Sequence, residues 1–345
     1  SITVAEGNPV YRAESGCLIE RATNTLLLGT KNAVIPSSVT KIEGGAFYGS
    51  SIESVNIHAN IESIGSSAFS GCESLKELTF ENGKLTVIGL NMYTIFGGCT
   101  SLERIVLPEN LTAIQGHAFR DCTSLKEVVF GNNLQTIDNY AFSRCENLTV
   151  CNIPASVTSI SPTAFSAATI AAMTIDADNP VYFKDNNCII ERETNKLIAG
   201  VDYAVIPDYV TFIGNYAFEN RNFESITIPA NVTGIGAYAF RGCASLKTVT
   251  FEGESKLEAI GEHAFDNCTS LTSIMLPLGL RAIRSSAFDN CSALTSVTFG
   301  ERMGGLILID PTASSLESIG NFAFSFTQLK SFVIPKTVTE IGYGA

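Results

Sequence analysis

Ten cysteines and three histidines are the side chains of this 345-residue sequence best suited to nucleophilic or metal chemistry. Thiolates and imidazoles do such work only in company, as in Cys-x-x-Cys or a histidine beside a fixed nucleophile. Here the cysteines are spread out instead. Cys72, Cys99, Cys122, Cys145, Cys243, Cys268 and Cys291 each lie three residues after a phenylalanine, and no Cys-x-x-Cys occurs. One cysteine per interval makes a column whose members point alike, which suits small buried apolar residues better than disulfide partners. Cys151 stands where Val128 stands in its own segment, and Cys17 and Cys188 are equivalent to each other. His117 and His263 precede an Ala-Phe pair at a position held elsewhere by Gly45, Ser67, Tyr140 or Phe322, and so read as members of a variable surface column. Gly234-Ile235-Gly236-Ala237-Tyr238-Ala239 matches the loose dinucleotide fingerprint, yet equivalent segments carry Glu43, Asp138 or Ser161 in place of Gly236. No helix-forming stretch follows it to seat a pyrophosphate. The expectation is therefore a non-enzyme with no catalytic residue, no metal site and no cofactor.

What must position these residues is a repeat. Phe47, Phe69, Phe119, Phe142, Phe165, Phe218, Phe240, Phe265, Phe288 and Phe324 each follow alanine, and Phe96 follows Ile95, mostly at intervals of 22 or 23 residues. Around each phenylalanine recur Ile-Gly, Ala-Phe, Cys and Ser-Leu, followed by Leu-x-x-Val-x-Phe or Leu-x-x-Ile-x-Ile-Pro. The last element alternates like a short strand, as in Leu125-Lys126-Glu127-Val128-Val129-Phe130. A unit this small exposes as much apolar surface as it buries, so it is stable only when stacked on copies of itself. The sequence thus predicts a solenoid of about a dozen coils, with a parallel β-sheet on one face and short irregular return segments. Glycine after the recurrent isoleucine predicts a turn with positive φ or close backbone approach. Proline at Pro108, Pro154, Pro229, Pro277 and Pro335 should end strands without costing an interior hydrogen bond.

A longer period is superimposed. Residues 2–47 align without a gap on 173–218, with 22 of 46 positions identical. Within each copy, Cys17-Leu18-Ile19-Glu20-Arg21 and Leu26-Leu27-Leu28-Gly29 flank a turn-like Ala22-Thr23-Asn24-Thr25, which predicts a β-hairpin in an extended coil. Residues 1–345 are read as one repeat domain with this internal duplication. Ile2-Thr3-Val4 reads as the end of a strand already under way, in a segment cut from a longer mature chain.

The combination Ile-Pro-x-x-Val-x-x-Ile-Gly-x-x-Ala-Phe-x-x-Cys-x-Ser-Leu resembles the BspA-like (Treponema pallidum type) leucine-rich repeats of bacterial and Trichomonas surface proteins. The resemblance covers essentially the whole chain. The hairpin block, with Asn8-Pro9-Val10-Tyr11 and Ile19-Glu20-Arg21, is similar to versions found in gut Bacteroidales. It implies a right-handed leucine-rich-repeat solenoid, an extracellular or cell-surface location, and attachment to protein or glycan on host or neighbouring cells or matrix. Thr94-Ile95-Phe96 and the insertion at 301–314 depart from the pattern.

Composition narrows the partners. Lys and Arg total 22 against 34 Asp and Glu, a net charge of −12 that disfavours nucleic acid. No apolar run approaches the roughly 18–20 residues of a membrane helix; the longest are near Ala167 to Met173 and Leu306 to Ile309. Only 16% of residues are charged, so serine, threonine and asparagine meet the water. On the predicted strands the third and fifth residues of Leu-x-x-Val-x-Phe project outward. They make a face rich in hydroxyls, most varied at Glu77, Thr79, Arg104, Val106, Glu127 and Val129, and any binding determinants are expected to start there. The competing readings are a merely solvated β-surface, a passive spacer that holds another domain, and an enzyme using a few clustered carboxylates, which the scatter of acidic residues among variable positions disfavours. The Leu306-Ile307-Leu308-Ile309 run is expected to be a packed strand in preference to a partner patch.

Overall fold

The computed structural model describes residues 1–89, 93–168, 172–303 and 306–345. Residues 169–171 of the apolar run and 304–305 of the insertion lie outside the described residues. Two compact units are formed, Ser1–Val181 and Tyr182–Ala345. Each is a β-solenoid of parallel-stacked coils, with essentially no helix.

Where the stacking is regular, a coil is hydrogen-bonded to the next on three sides. The first side is the alternating strand, such as Ser54–Ile57, whose residues are by turns exposed and buried. The second is a two-residue strand ending in the recurrent isoleucine, as where Ala113–Ile114 pairs in parallel with Thr136–Ile137. The third is the Ala-Phe turn, where the Phe119 N–H donates to the Ala141 carbonyl at 2.8 Å. In-register stacking places each isoleucine on its equivalent, Ile114 on Ile137 and Ile283 on Ile319. The phenylalanines do the same. Phe47, Phe69, Phe96, Phe119, Phe142 and Phe165 stack at centroid spacings of 4.9–5.6 Å in the first unit. Phe218, Phe240, Phe265, Phe288 and Phe324 stack at 5.0–5.3 Å in the second. Phe96 joins the stack despite its unusual neighbours. The prolines end strands and open turns, with the Val157 N–H closing onto the Pro154 carbonyl.

Each stack needs a first layer. In both units this is an antiparallel meander of three strands, one more than the predicted hairpin: Tyr11–Glu14, Cys17–Glu20 and Thr25–Gly29, then Tyr182–Asp185, Cys188–Glu191 and Lys196–Gly200. The last strand lies flat on the first phenylalanine. A Cβ on Gly29 would come within 1.9 Å of the Phe47 ring, and one on Gly200 within 2.0 Å of Phe218. In the first unit, where Leu28 is 49% exposed, this layer closes the end of the core. The duplication kept this geometry while exchanging its chemistry. Arg12 donates to Ser38 at 2.8 Å and pairs with Glu14, whereas at the equivalent positions Phe183 stacks on Tyr209, whose hydroxyl donates to Asp185 at 2.7 Å. Ile2-Thr3-Val4 forms no strand, contrary to the sequence reading. Its counterpart within Ala172–Ile175 is made a strand by Val150–Ile153 beside it, and residues 2–4 pair with no strand.

The glycines after isoleucine answer to close approach, not positive φ, except Gly89. Left-handed backbone falls instead two residues before and two after the stacked phenylalanine, at His117, Tyr140, Tyr216, Tyr238 and His263, and at Gly71, Gly98, Asp121, Asn220 and Asn267. The two kinds of glycine should respond differently to alanine. At Gly98 a Cβ finds room, 3.6 Å from Gly71, so Gly98→Ala is expected to cost about 1 kcal/mol of left-handed strain. At Gly261 it would lie 2.6 Å from the Gly236 carbonyl carbon, and Gly261→Ala should cost at least about twice that, because two coils must separate. Denaturant midpoints of the two variants test the ordering.

On the sheet face, the spacing between strand starts separates paired neighbours from unpaired ones. Strand starts 22 or 23 residues apart are hydrogen-bonded, as for Ser54 with Glu77 and Arg104 with Glu127. At 27 residues, from Glu77–Phe80 to Arg104–Val106, and at 25, from Thr248–Phe251 to Ser273–Leu276, the neighbours belong to separate sheets. The rings stay stacked across both seams, Phe69 on Phe96 at 5.1 Å and Phe240 on Phe265 at 5.0 Å.

Candidate functional site

Alternation puts one residue of each pair into the core and the next outside. Leu78, Ile105 and Val128 are buried, and Glu77, Thr79, Arg104 and Val106 are exposed, with Glu127 and Val129 half-buried. Register then aligns Arg104 with Glu127 and Val106 with Val129. The Arg104 Nε donates to Glu127 Oε2 at 2.7 Å. On the adjoining column Lys126 pairs with Glu103 at 2.9 Å and Lys76 with Glu53 at 3.5 Å. Exposed pairs like these contribute little to stability. They do hold long charged side chains in fixed places.

The seam between Glu77–Phe80 and Arg104–Val106 opens a shallow groove of about 340 Å³, lined by Lys76, Glu77, Leu78, Thr79, Phe80, Arg104 and Val106. Four of the residues singled out in the sequence line it. Glu127 reaches it only through Arg104, and Val129 lies one strand further on. Chemically the groove offers a cation, a carboxylate, a hydroxyl and an apolar floor, which suits recognition and supplies no nucleophile–base pair. The face of the second unit is plainer, with Ser225, Thr227, Thr248, Ser273 and Ser296 exposed.

The cysteine column lies in the core. All ten thiols are free and buried. They are more than apolar filler, since each column thiol donates to the carbonyl of the phenylalanine one coil back: Cys72 to Phe47 at 3.1 Å, Cys122 to Phe96 at 3.2 Å, Cys291 to Phe265 at 3.1 Å. Burial pushes Cys72 up to about 11 and Cys243 and Cys291 to about 12. The native protein at pH 8 is accordingly expected to leave its thiols almost unreacted with a disulfide-exchange dye and to release all ten in denaturant; rapid native reaction of the column would contradict the burial.

The histidines are occupied separately. His58 Nε2 contacts the Pro36 carbonyl at 3.0 Å while Nδ1 accepts from the Asn60 N–H. His117 stacks on Tyr140, and burial lowers its pKa. His263 stacks on Tyr238 at 4.8 Å and touches Asp266 at 3.2 Å. Among the described residues no group of three or more His, Cys, Asp or Glu side chains could hold a metal ion. Gly234 and Gly236 lie in and just after a ladder strand and meet Phe212 and Asn215, facing no ligand loop.

The sequence reading missed a buried charge cluster in the second unit. Arg221 takes the column position that cysteine fills in the following coils, three residues after Phe218, and it is only 5% exposed. Burial pulls its guanidinium below the usual arginine value, against the opposing influence of Asp202 and Glu219. Glu219 is also buried, and Arg241 bridges it to Asp266, at 3.6 Å on each side. One coil further, Asp289 Oδ1 is buried without a hydrogen-bond partner, and its carboxyl is held above the ordinary range by burial first and Asp266 second. A carboxylate with a raised folded-state pKa stabilises the fold when protonated and loses that contribution as pH rises through the raised value. Asp289→Asn should therefore match the parent in strong acid and become the more stable of the two toward neutral pH. Paired melting curves from about pH 3 to 7 would show this. The available signal was the interruption of the cysteine column at 221.

The chain is similar to a leucine-rich cell surface protein of Faecalibacterium prausnitzii (24% identity, 99% of this chain and 96% of that one, TM-score 0.63). It is also similar to the pneumococcal vaccine antigen PcpA (19% identity, 98% and 93%, TM-score 0.66) and to a leucine-rich repeat protein of Eubacterium ventriosum (20%, 98% and 92%, TM-score 0.59). At these identities the likeness establishes the fold. None of the curated proteins matches. The model of the BspA type leucine-rich repeat region matches residues 28–94, 92–188 and 190–307. Stacked phenylalanines, the thiol column and that match over most of the sequence agree: the chain belongs to the BspA-type leucine-rich-repeat family.

Proposed function

We propose that this protein is a non-catalytic adhesin, extracellular or displayed on a cell surface, that docks a protein of the host or its matrix along the exposed sheet face, with its determinants at Glu77, Thr79, Arg104, Val106, Glu127 and Val129. The observation that carries the reading is the groove at the first-unit seam, where a regular hydroxyl face gives way to fixed charges over an apolar floor. Repeat solenoids bind along such extended surfaces. The surface location is supported by the wording used for the Faecalibacterium relative. Among the described residues no helix is long and apolar enough to cross a membrane. Affinity on such a face comes from a few anchors in a wide contact.

The test is binding of the chain to immobilised matrix proteins and to a glycan array, repeated with Glu77→Lys and Arg104→Glu. A protein ligand weakened at least about tenfold by either change, with melting unaltered, is the expected result. Capture of glycans alone would change the ligand class. A panel with no ligand, or a ligand indifferent to both substitutions, would favour a passive spacer or another face.

A further inference from the structure

The hairpin of the second unit leaves a strand edge open. Ser296–Met303 runs on beyond its coil and turns back as Leu306–Ile309, antiparallel, with Arg302 opposite Ile307 and Glu301 opposite Leu308. The returning strand is the last of its sheet, so among the described residues its outer backbone edge is unpaired. It is paired as the sequence suggested, but it is not packed: Leu306, Ile307, Leu308 and Ile309 are 76%, 54%, 48% and 58% exposed. The neighbouring coil, anchored by Phe332 against Phe299 at 5.9 Å, leaves Val333 and Ile334 exposed beside this sheet. Natural sheets protect such edges with charges, prolines or covering loops. None of these devices is present on Leu306–Ile309.

We propose that this edge pairs with the same edge of a second copy of the chain, joining two hairpins into one antiparallel sheet across a two-fold axis. Three features select that occupant. An open strand edge is completed by another extended strand. In a two-fold antiparallel pairing opposed residues share a face, so the register centres on Ile307 or on Leu308; either way the opposed side chains within 306–309 are all aliphatic. Finally, two copies at a net charge of −12 repel each other over most of their surface, and these four residues are an uncharged place where they can meet. Exposed apolar patches of a few hundred Å² mark interaction sites. Doubled across the axis, such a patch stays below the roughly 1,200 Å² of a standard stable interface, so the pair is weak and forms at high local concentration. Screening the repulsion with salt strengthens it.

Sedimentation velocity of the chain from micromolar to about millimolar concentration, at low and high salt, tests this independently of any ligand for the sheet face. The expected result is a dimer that grows with concentration and salt, is lost in the Ile307→Lys/Leu308→Lys double variant, and persists in Ile341→Lys, which alters a different exposed edge strand. Hydrogen exchange should show the amides of 306–309 gaining protection as the parent is concentrated. All four side chains are exposed, so the double variant should melt like the parent, and melting reports any failure to fold. A chain that stays monomeric throughout, a dimer that survives the double variant, or one abolished by Ile341→Lys overturns the proposal.

Discussion

Phe119→Ala is expected to lower the free energy of unfolding by about 3–5 kcal/mol, the range for truncating a fully buried aromatic. Phe119 is wholly buried, with Phe96 at 5.3 Å on one face and Phe142 at 5.4 Å on the other. The cavity left behind has little means of collapsing, because Phe96 and Phe142 are held in place by turn hydrogen bonds from Phe96 N–H to Ala118 and from Phe142 N–H to Ala164. Phe326, 74% exposed, is the control, and Phe326→Ala should fall within about 0.5 kcal/mol of the parent. Denaturant unfolding of both variants decides the matter. A loss at Phe119 below about 1 kcal/mol would mean that the ring column is not what holds the coils together.

Arg221→Met should be comparably severe, about 3–5 kcal/mol, for an electrostatic reason. The substitution preserves much of the volume but strips Glu219 and Asp202 of a neighbouring buried cation. Glu219 then relies on its 3.6 Å bridge to Arg241, and denaturant unfolding of the variant beside the parent measures the deficit. The compensating experiment is sharper. Arg221→Cys combined with Glu219→Gln and Asp202→Asn restores the column residue of the following coils and removes both charges. It should recover most of the loss, as replacement of a whole buried ionic group commonly does. Failure to recover would show that packing around the arginine stem, and not its charge, sets the cost.

How far the sequence reveals the molecule depends on how often a feature recurs. Phe69, Phe240 and Cys122 were legible because each is one member of a column, and stacking makes every member do the same physical work. The outward positions Glu77 and Arg104 were legible for the related reason that alternation along a strand fixes which side a residue faces. The seam that turns them into a groove was not, because it depends on how many residues a return segment spends before the next strand. Left-handed backbone at His117 and Tyr238 was hidden as well. At those positions ring stacking and coil-to-coil hydrogen bonds override the usual preference for glycine, so residue type carried no signal. Arg221 escaped because a substitution within a column looks like ordinary variation until its burial is known. The aliphatic run at 306–309 was expected to pack by composition, yet the hairpin lifts it clear of the coil it interrupts.

The seams also have a mechanical meaning. Where strands start 23 residues apart, pulling two coils apart must break peptide hydrogen bonds on all three sides. Between Glu77–Phe80 and Arg104–Val106 the sheet-face bonds are absent, and Ser63–Ile64 and Val87–Ile88 are likewise in separate sheets, so the load falls on the Ala-Phe turns and on ring contact. Within the first unit, a molecule tethered at one end and dragged by flow would yield there first. Lengthening or shortening a return loop would then reset its breaking point while leaving the phenylalanine stack untouched.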